Sequence, residues 1–172
     1  GSVRGSAAAA RARQLATSDS SLYVRGAAIA SLPAIEGAAS LDVIRGALGQ
    51  NSWRDVLRRQ AVGALGDVDS PEVFPLLTRY LGDSTQRDTR VTAIAVLVQR
   101  ANAAGRQAEV AAAVTPMLDV EDDLFVRDAA ARALGELKQS SSIAALEARR
   151  KVEAESRVIN TIDAALAALR AP

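Results

Sequence analysis

The chain has 172 residues, 21 basic against 20 acidic side chains, and a hydrophobic content of 49% with only 3% aromatics. A net charge of +1 leaves no general electrostatic footprint for nucleic acid or an anionic membrane. With neither cysteine nor histidine, disulfides, thiolate chemistry and the commonest metal ligand and general base are excluded, and no cofactor or metal is expected.

The chain opens without methionine, the single one being Met117. Gly1-Ser2 reads as a vector-derived remnant, and the sequence is expected to be a piece of a longer protein. Residues 3–16 read as a lone helix ending at Leu15, the remnant of a severed repeat. No apolar run is read as approaching the ~20 residues of a membrane span.

From residue 18 onward one phrase returns: VRGAAIASLP from Val24, LRRQAVGALG from Leu57, TRVTAIAVLV from Thr89 and VRDAAARALG from Val126. Its arginines, at 25, 58, 90 and 127, are 33, 32 and 37 residues apart, a period that marks a helical repeat array. Counting from the residue before each arginine, apolar side chains fall at offsets 0, 4, 5 and 8, one stripe of an α-helix. The alanine at offset 4 (Ala28, Ala61, Ala93, Ala130) predicts the closest approach of a neighbouring helix.

Each arginine-led helix is followed by a companion helix. Ser70 is expected to cap one, with Pro71 at its first position. Pro75 and Pro116 are expected to bend theirs. Residues 102–107, with Gly105, are assigned to a loop insertion that explains the 37-residue step. A degraded copy, VINTIDAALA from Val158, places Asp163 on the apolar stripe, as suits a terminal repeat whose outer face meets water. The expected organisation is a single domain over 1–172, with repeats at 18–48, 50–81, 83–118 and 120–152 and a capping helix at 153–170.

The phrase resembles the HEAT-repeat family, whose signature is a turn with aspartate followed by V-R-x-x-A-A-x-x-A-L-G; VRDAAARALG matches it nearly residue for residue, and the resemblance covers 18–169. It implies an all-α, right-handed α-solenoid with arginine-led helices on a concave side and companions on a convex side. It also implies a ladder in which Arg25, Arg58, Arg90 and Arg127 pair with turn residues. Asp19, Asp83 and Asp119 precede their arginines by 6, 7 and 8 residues, and Asn51 takes that place in the second repeat.

A narrower resemblance lies in SWRDVLR at 52–58, followed by ALGDVDSPEVFPLLTRYL. This is similar to the C-terminal HEAT-like region of bacterial zinc aminopeptidases related to aminopeptidase N. It implies a non-catalytic part that docks on a catalytic domain and limits substrate access. The histidine-containing zinc motif of that family has no counterpart here.

Other features have simpler readings. The acidic run Asp119, Glu121, Asp122, Asp123 lacks the spacing and glycine of a calcium loop, so one carboxylate is expected to cap the next helix. Trp53 is expected to pack in the core or a loop rather than to anchor a partner. Arg149-Arg150-Lys151 is expected to be a solvated cluster that complements a helix dipole. Offsets 2, 3 and 6 on the arginine-led helices give the strip expected to face a ligand: Arg59, Gln60, Thr92, Asp128 and Arg132.

Mixed charge on that strip points to a protein or peptide partner, a catalytic domain of the same parent chain included, and not to nucleic acid or membrane. A scaffold or adaptor is the second reading. Among HEAT-like enzymes, histidine-dependent hydroxylases are excluded, a DNA glycosylase lacks the basic face it needs, and a bilin lyase remains without a supporting cysteine or acid–base constellation.

Overall fold

The computed structural model describes residues 2–82, 85–120 and 123–171, and among these there is helix but no strand. The helices are α1 (Ser2–Ser18), α2 (Leu22–Glu36), α3 (Leu41–Leu48), α4 (Val56–Ala64), α5 (Val73–Thr78), α6 (Arg87–Ala104), α7 (Gln107–Val114), α8 (Leu124–Leu137), α9 (Ile143–Val152) and α10 (Ser156–Arg170). The fold is all-α and of the α-solenoid class. Its helices form two compact units, Gly1–Arg79 and Tyr80–Pro172, dividing near the junction of the second and third repeats.

In the first unit α2 packs between α1 and α4, with α3 against α4. In the second, α8 lies between α6 and α10, with α7 and α9 as companions. The seams follow the stripe. At offset 8, Leu32, Leu65, Leu97 and Leu134 are fully buried, and so are Ala61, Ala93 and Ala130 at offset 4. Alanine there brings the helix axes close, and each flanking leucine or isoleucine removes enough apolar area to contribute about 1.5–3 kcal/mol. Val24, at offset 0 of the first phrase, is the exception and is exposed.

Local signals set the helix ends. The Ser21 hydroxyl accepts from the Val24 N–H, and the Asp123 carboxylate accepts from the Phe125 and Val126 N–H groups. Asp123 is thus the capping carboxylate of the acidic run, whereas Glu121 and Asp122 lie outside the described residues.

Four expectations are corrected. The 37-residue step is not a loop: α6 continues through residues 99–104, where Ala101 is buried, and stops at Gly105, whose φ of 68° forms a left-handed cap. Ala-Asn-Ala-Ala is good helix sequence, so the extra residues lengthen the helix. The Ser70 hydroxyl does accept from the Glu72 N–H (3.3 Å), but α5 starts only at Val73, so Pro71 lies in the turn before the helix; Pro75 then falls in its first turn, where a proline is tolerated. Trp53 is 62% exposed, because Arg54 and Asp55 both adopt left-handed backbone (φ 50° and 58°) and turn the indole outward beneath the Arg54 guanidinium, 5.2 Å away. Lastly, Leu22–Leu48 is, by length and composition, apolar enough to cross a membrane. In this fold it is α2 and α3 turning at Gly37, with Ile29, Leu32 and Ile44 fully buried, which is how an Ala/Leu/Ile-rich core hairpin meets the same criterion.

Candidate docking groove

Arg25, Arg58 and Arg127 reach backbone carbonyls of preceding residues, and all four repeated arginines reach a side chain before or after them. Arg25 Nε donates to the Ala16 carbonyl (3.1 Å) at the end of α1, and its Nη2 donates to Gln50. Arg58 donates to the Leu48 carbonyl (2.8 Å) at the end of α3, to Asp55 (2.6 Å) and to Asn51 (3.2 Å). Arg127 Nη1 donates to the Val120 carbonyl (3.0 Å), while Nε and Nη2 fork onto Glu153 (2.8 and 3.1 Å). Arg90 is buried and reaches Met117 Sδ at 3.4 Å. The guanidinium therefore satisfies carbonyls that a helix end leaves unpaired, as a cation near a helix C-terminus should.

Two of the aspartates assigned to this ladder, Asp19 and Asp119, take other roles. Asp19 accepts from the Ser21 N–H (2.8 Å), a turn contact that uses its carboxylate locally. Asp119 is exposed and faces Arg149 at 3.8 Å rather than Arg127. Asp83 lies outside the described residues.

Glu153, absent from the sequence reading, is the acidic centre of the second unit. Its side chain is 1% exposed and accepts from Arg127, from Arg149 (2.9 Å) and from the Ala154 and Glu155 N–H groups (3.1 and 3.0 Å). Burial alone pushes this carboxyl up. The Arg127 fork, the Glu155 N–H and Arg149 outweigh it and hold the group at about 2. The basic cluster is thus largely engaged, since Arg150 also pairs with Asp163 (2.7 Å). A signal existed: Glu153 follows Arg149 by four residues, the spacing of a helical ion pair.

In the first unit Arg13 plays a similar tying role, donating to Glu36 (2.9 Å), Asp42 (2.8 Å) and the Ala39 carbonyl (2.6 Å). Its hydrogen bond holds the Asp42 carboxyl below the ordinary range.

The ligand-facing strip separates into two environments. On α4, Arg59 and Gln60 are half-buried, and Gln60 Cγ would lie 3.0 Å from a Cβ placed on Gly26, so that side chain lies over α2. On α6, the Thr92 hydroxyl donates back to the Asp88 carbonyl (2.8 Å). On α8, Asp128 and Arg132 line a groove of about 220 Å³ between α6 and α8, floored by Val91, Ile94, Ala95, Val98, Ala129 and Ala133. Offsets 2 and 6 of α6 and 2, 3 and 6 of α8 all contribute to it.

One end of this groove is built around Asp128, only 3% exposed. Its carboxylate accepts from Arg132 Nη2 (3.1 Å), from Arg157 Nε and Nη2 (3.2 and 3.1 Å) and from the Thr161 hydroxyl (2.5 Å). Phe125 stands at the mouth, 41% exposed, with the Arg87 and Arg157 guanidiniums 4.8 and 5.4 Å from its ring centre. Two stacked guanidiniums hold an aromatic ring that burial alone does not hold. Phe125, Arg157 and Thr161 were not assigned from sequence. Phe125 stands two residues before Arg127, as exposed Tyr23 stands two before Arg25, a parallel that could have drawn attention to it.

No group of three or more His, Cys, Asp or Glu residues able to hold a metal ion occurs among the described residues. Compared with known families, the HEAT repeats profile matches residues 9–98. The PBS lyase HEAT-like repeat profile matches residues 126–149, within α8 and α9. No curated protein matches the chain. The first of these matches spans just over half of the sequence and runs through three of the arginine-led helices described above, so the chain belongs to the HEAT-repeat family.

Proposed function

We propose that this helical-repeat scaffold binds protein, and that the α6–α8 groove of the second unit receives a segment of the partner. The observation that carries the reading is the groove itself: an apolar floor of about 220 Å³ beside an exposed aromatic and two arginines fixed by a buried aspartate. Apolar recesses with a few placed polar groups, aromatics and arginines are what partner-binding surfaces concentrate. The groove's buried carboxylate is already consumed by two guanidiniums and a hydroxyl, which suits it to positioning those arginines.

The test compares wild-type bait with Ala129→Trp, which fills the groove, and with Arg132→Glu, followed by cross-link mapping of recovered partners. Loss of the same partner with both variants, and cross-links to α6 and α8, support the reading. Equal recovery would sink it.

A narrower reading is that the chain is the C-terminal helical part of a zinc aminopeptidase-like protein, docked on its catalytic domain and shaping substrate access. It is supported by the SWRDVLR segment and by the exposure of Trp53, a residue enriched at protein contacts. The upstream reading frame decides it, because without a zinc-peptidase helix there this reading fails.

A further inference from the structure

The α6–α8 groove is electrically polar along its length. At the Asp128 end, two arginines oppose one buried aspartate and leave one net positive charge, while Arg87, beside Phe125, is balanced by Asp88 at 3.3 Å. At the other end stands Glu136, an exposed wall residue with no ion-pair partner among the described residues. Asp128 and Glu136 lie eight positions apart on α8, so the poles are about 12 Å apart at 1.5 Å per residue.

Between them the floor is apolar and too small for a drug-sized ligand, whose pockets run about 300–1,000 Å³. It has room for one or two side chains. An extended chain at about 3.3 Å per residue covers the pole-to-pole distance in three to four residues. A helix would need about eight residues to cover the same distance.

Resting on the docking reading above, we propose that the occupant is an extended partner segment of the pattern acid–x–apolar–x–base. Its carboxylate meets the N–H groups of Arg132 and Arg157 that Asp128 leaves free. Its central aromatic or leucine side chain enters the floor between Ile94 and Ala129, against Phe125. Its basic side chain meets Glu136. Buried Asp128 does not contact the ligand; it is a positioning residue that fixes both guanidiniums.

The probe is a fluorescein-labelled Ser-Asp-Ala-Phe-Ala-Lys-Ser peptide, titrated by anisotropy against the full chain. Its controls are a neutral analogue with Asn and Gln at the charged positions and an analogue with Asp at both. The zwitterionic peptide should bind at least fivefold more tightly than either control, less so at high salt because exposed charges are screened. Glu136→Lys, on the exposed wall, should reverse the preference in favour of the doubly acidic peptide. If all three peptides bind wild type equally and Ala129→Trp abolishes binding, the groove docks protein but the charge pattern is overturned. If none binds, both the pattern and the docking reading fall.

Discussion

At Glu153, two arginines and two backbone N–H groups converge on one carboxylate that also opens the turn into α10. Neutralising it takes the shared carboxylate from two guanidiniums, of which Arg127 keeps the Val120 carbonyl, and breaking a buried pair in this way costs up to about 3–5 kcal/mol. Glu153→Gln should lower stability by that order in urea unfolding at pH 7. Because the native carboxyl is held at about 2, below its ordinary 4.5, folding releases a proton between those pH values. Its contribution is complete above about pH 4.5 and is lost as pH falls towards 2. The gap in unfolding free energy between wild type and Glu153→Gln should therefore narrow across that window. A gap that stays constant would remove the charge from the explanation.

On the scale of helices, two glycines separate space from propensity. A Cβ on Gly135 of α8 would lie 3.0 Å from both the Cα and Cβ of Ala165 on α10, where backbone has to move. Gly135→Ala should therefore destabilise, an overpacking cost of about 1–3 kcal/mol outweighing the ~1 kcal/mol gain in helix propensity. On Gly26 of α2 the same methyl would meet only the Gln60 side chain, which can swing aside. Gly26→Ala should leave the denaturation midpoint unchanged or raise it. Opposite shifts for the two variants would confirm that α8 and α10 make the tighter seam.

The stripe was readable because a helix must bury one face at a 3.6-residue period, so Leu32, Leu65, Leu97 and Leu134 announced the core. Partner choice was readable only in part: Asn51 does accept from Arg58, as its place in the second repeat implied. Asp19 and Asp119 sit within ten residues of their arginines, yet local turn geometry claims the first and solvent the second. Within the groove, Asp128 and Arg132 follow from helical offset, whereas Arg157 and Thr161 arrive from α10, about thirty residues on. No local pattern connects them.

For the molecule as a whole, each unit has its own buried leucines and its own charged ties, Arg13 in one and Glu153 in the other. Repeat arrays derive stability from neighbouring pairs, and local opening follows such boundaries. Hydrogen exchange of Glu153→Gln should therefore show faster exchange in peptides from 124–170 and unchanged protection in those from 22–64. Uniform loss along the chain would mean that the two units unfold as one.

The arginine contacts also have a metric consequence. Arg25 reaches Gln50, Arg90 reaches Met117 and Arg127 reaches Glu153, intervals of 25, 27 and 26 residues. Each of these three guanidiniums thus gauges the hairpin it begins, as a calliper set to one length, whereas Arg58 grips only residues before it. Extra residues between the jaws carry the acceptor out of reach, while residues added after the acceptor and before the next arginine leave the grip intact. Insertion tolerance should vary along the sequence, permissive just beyond Met117 and forbidding both within those intervals and between Leu48 and Arg58, where Arg58 grips the preceding helix end.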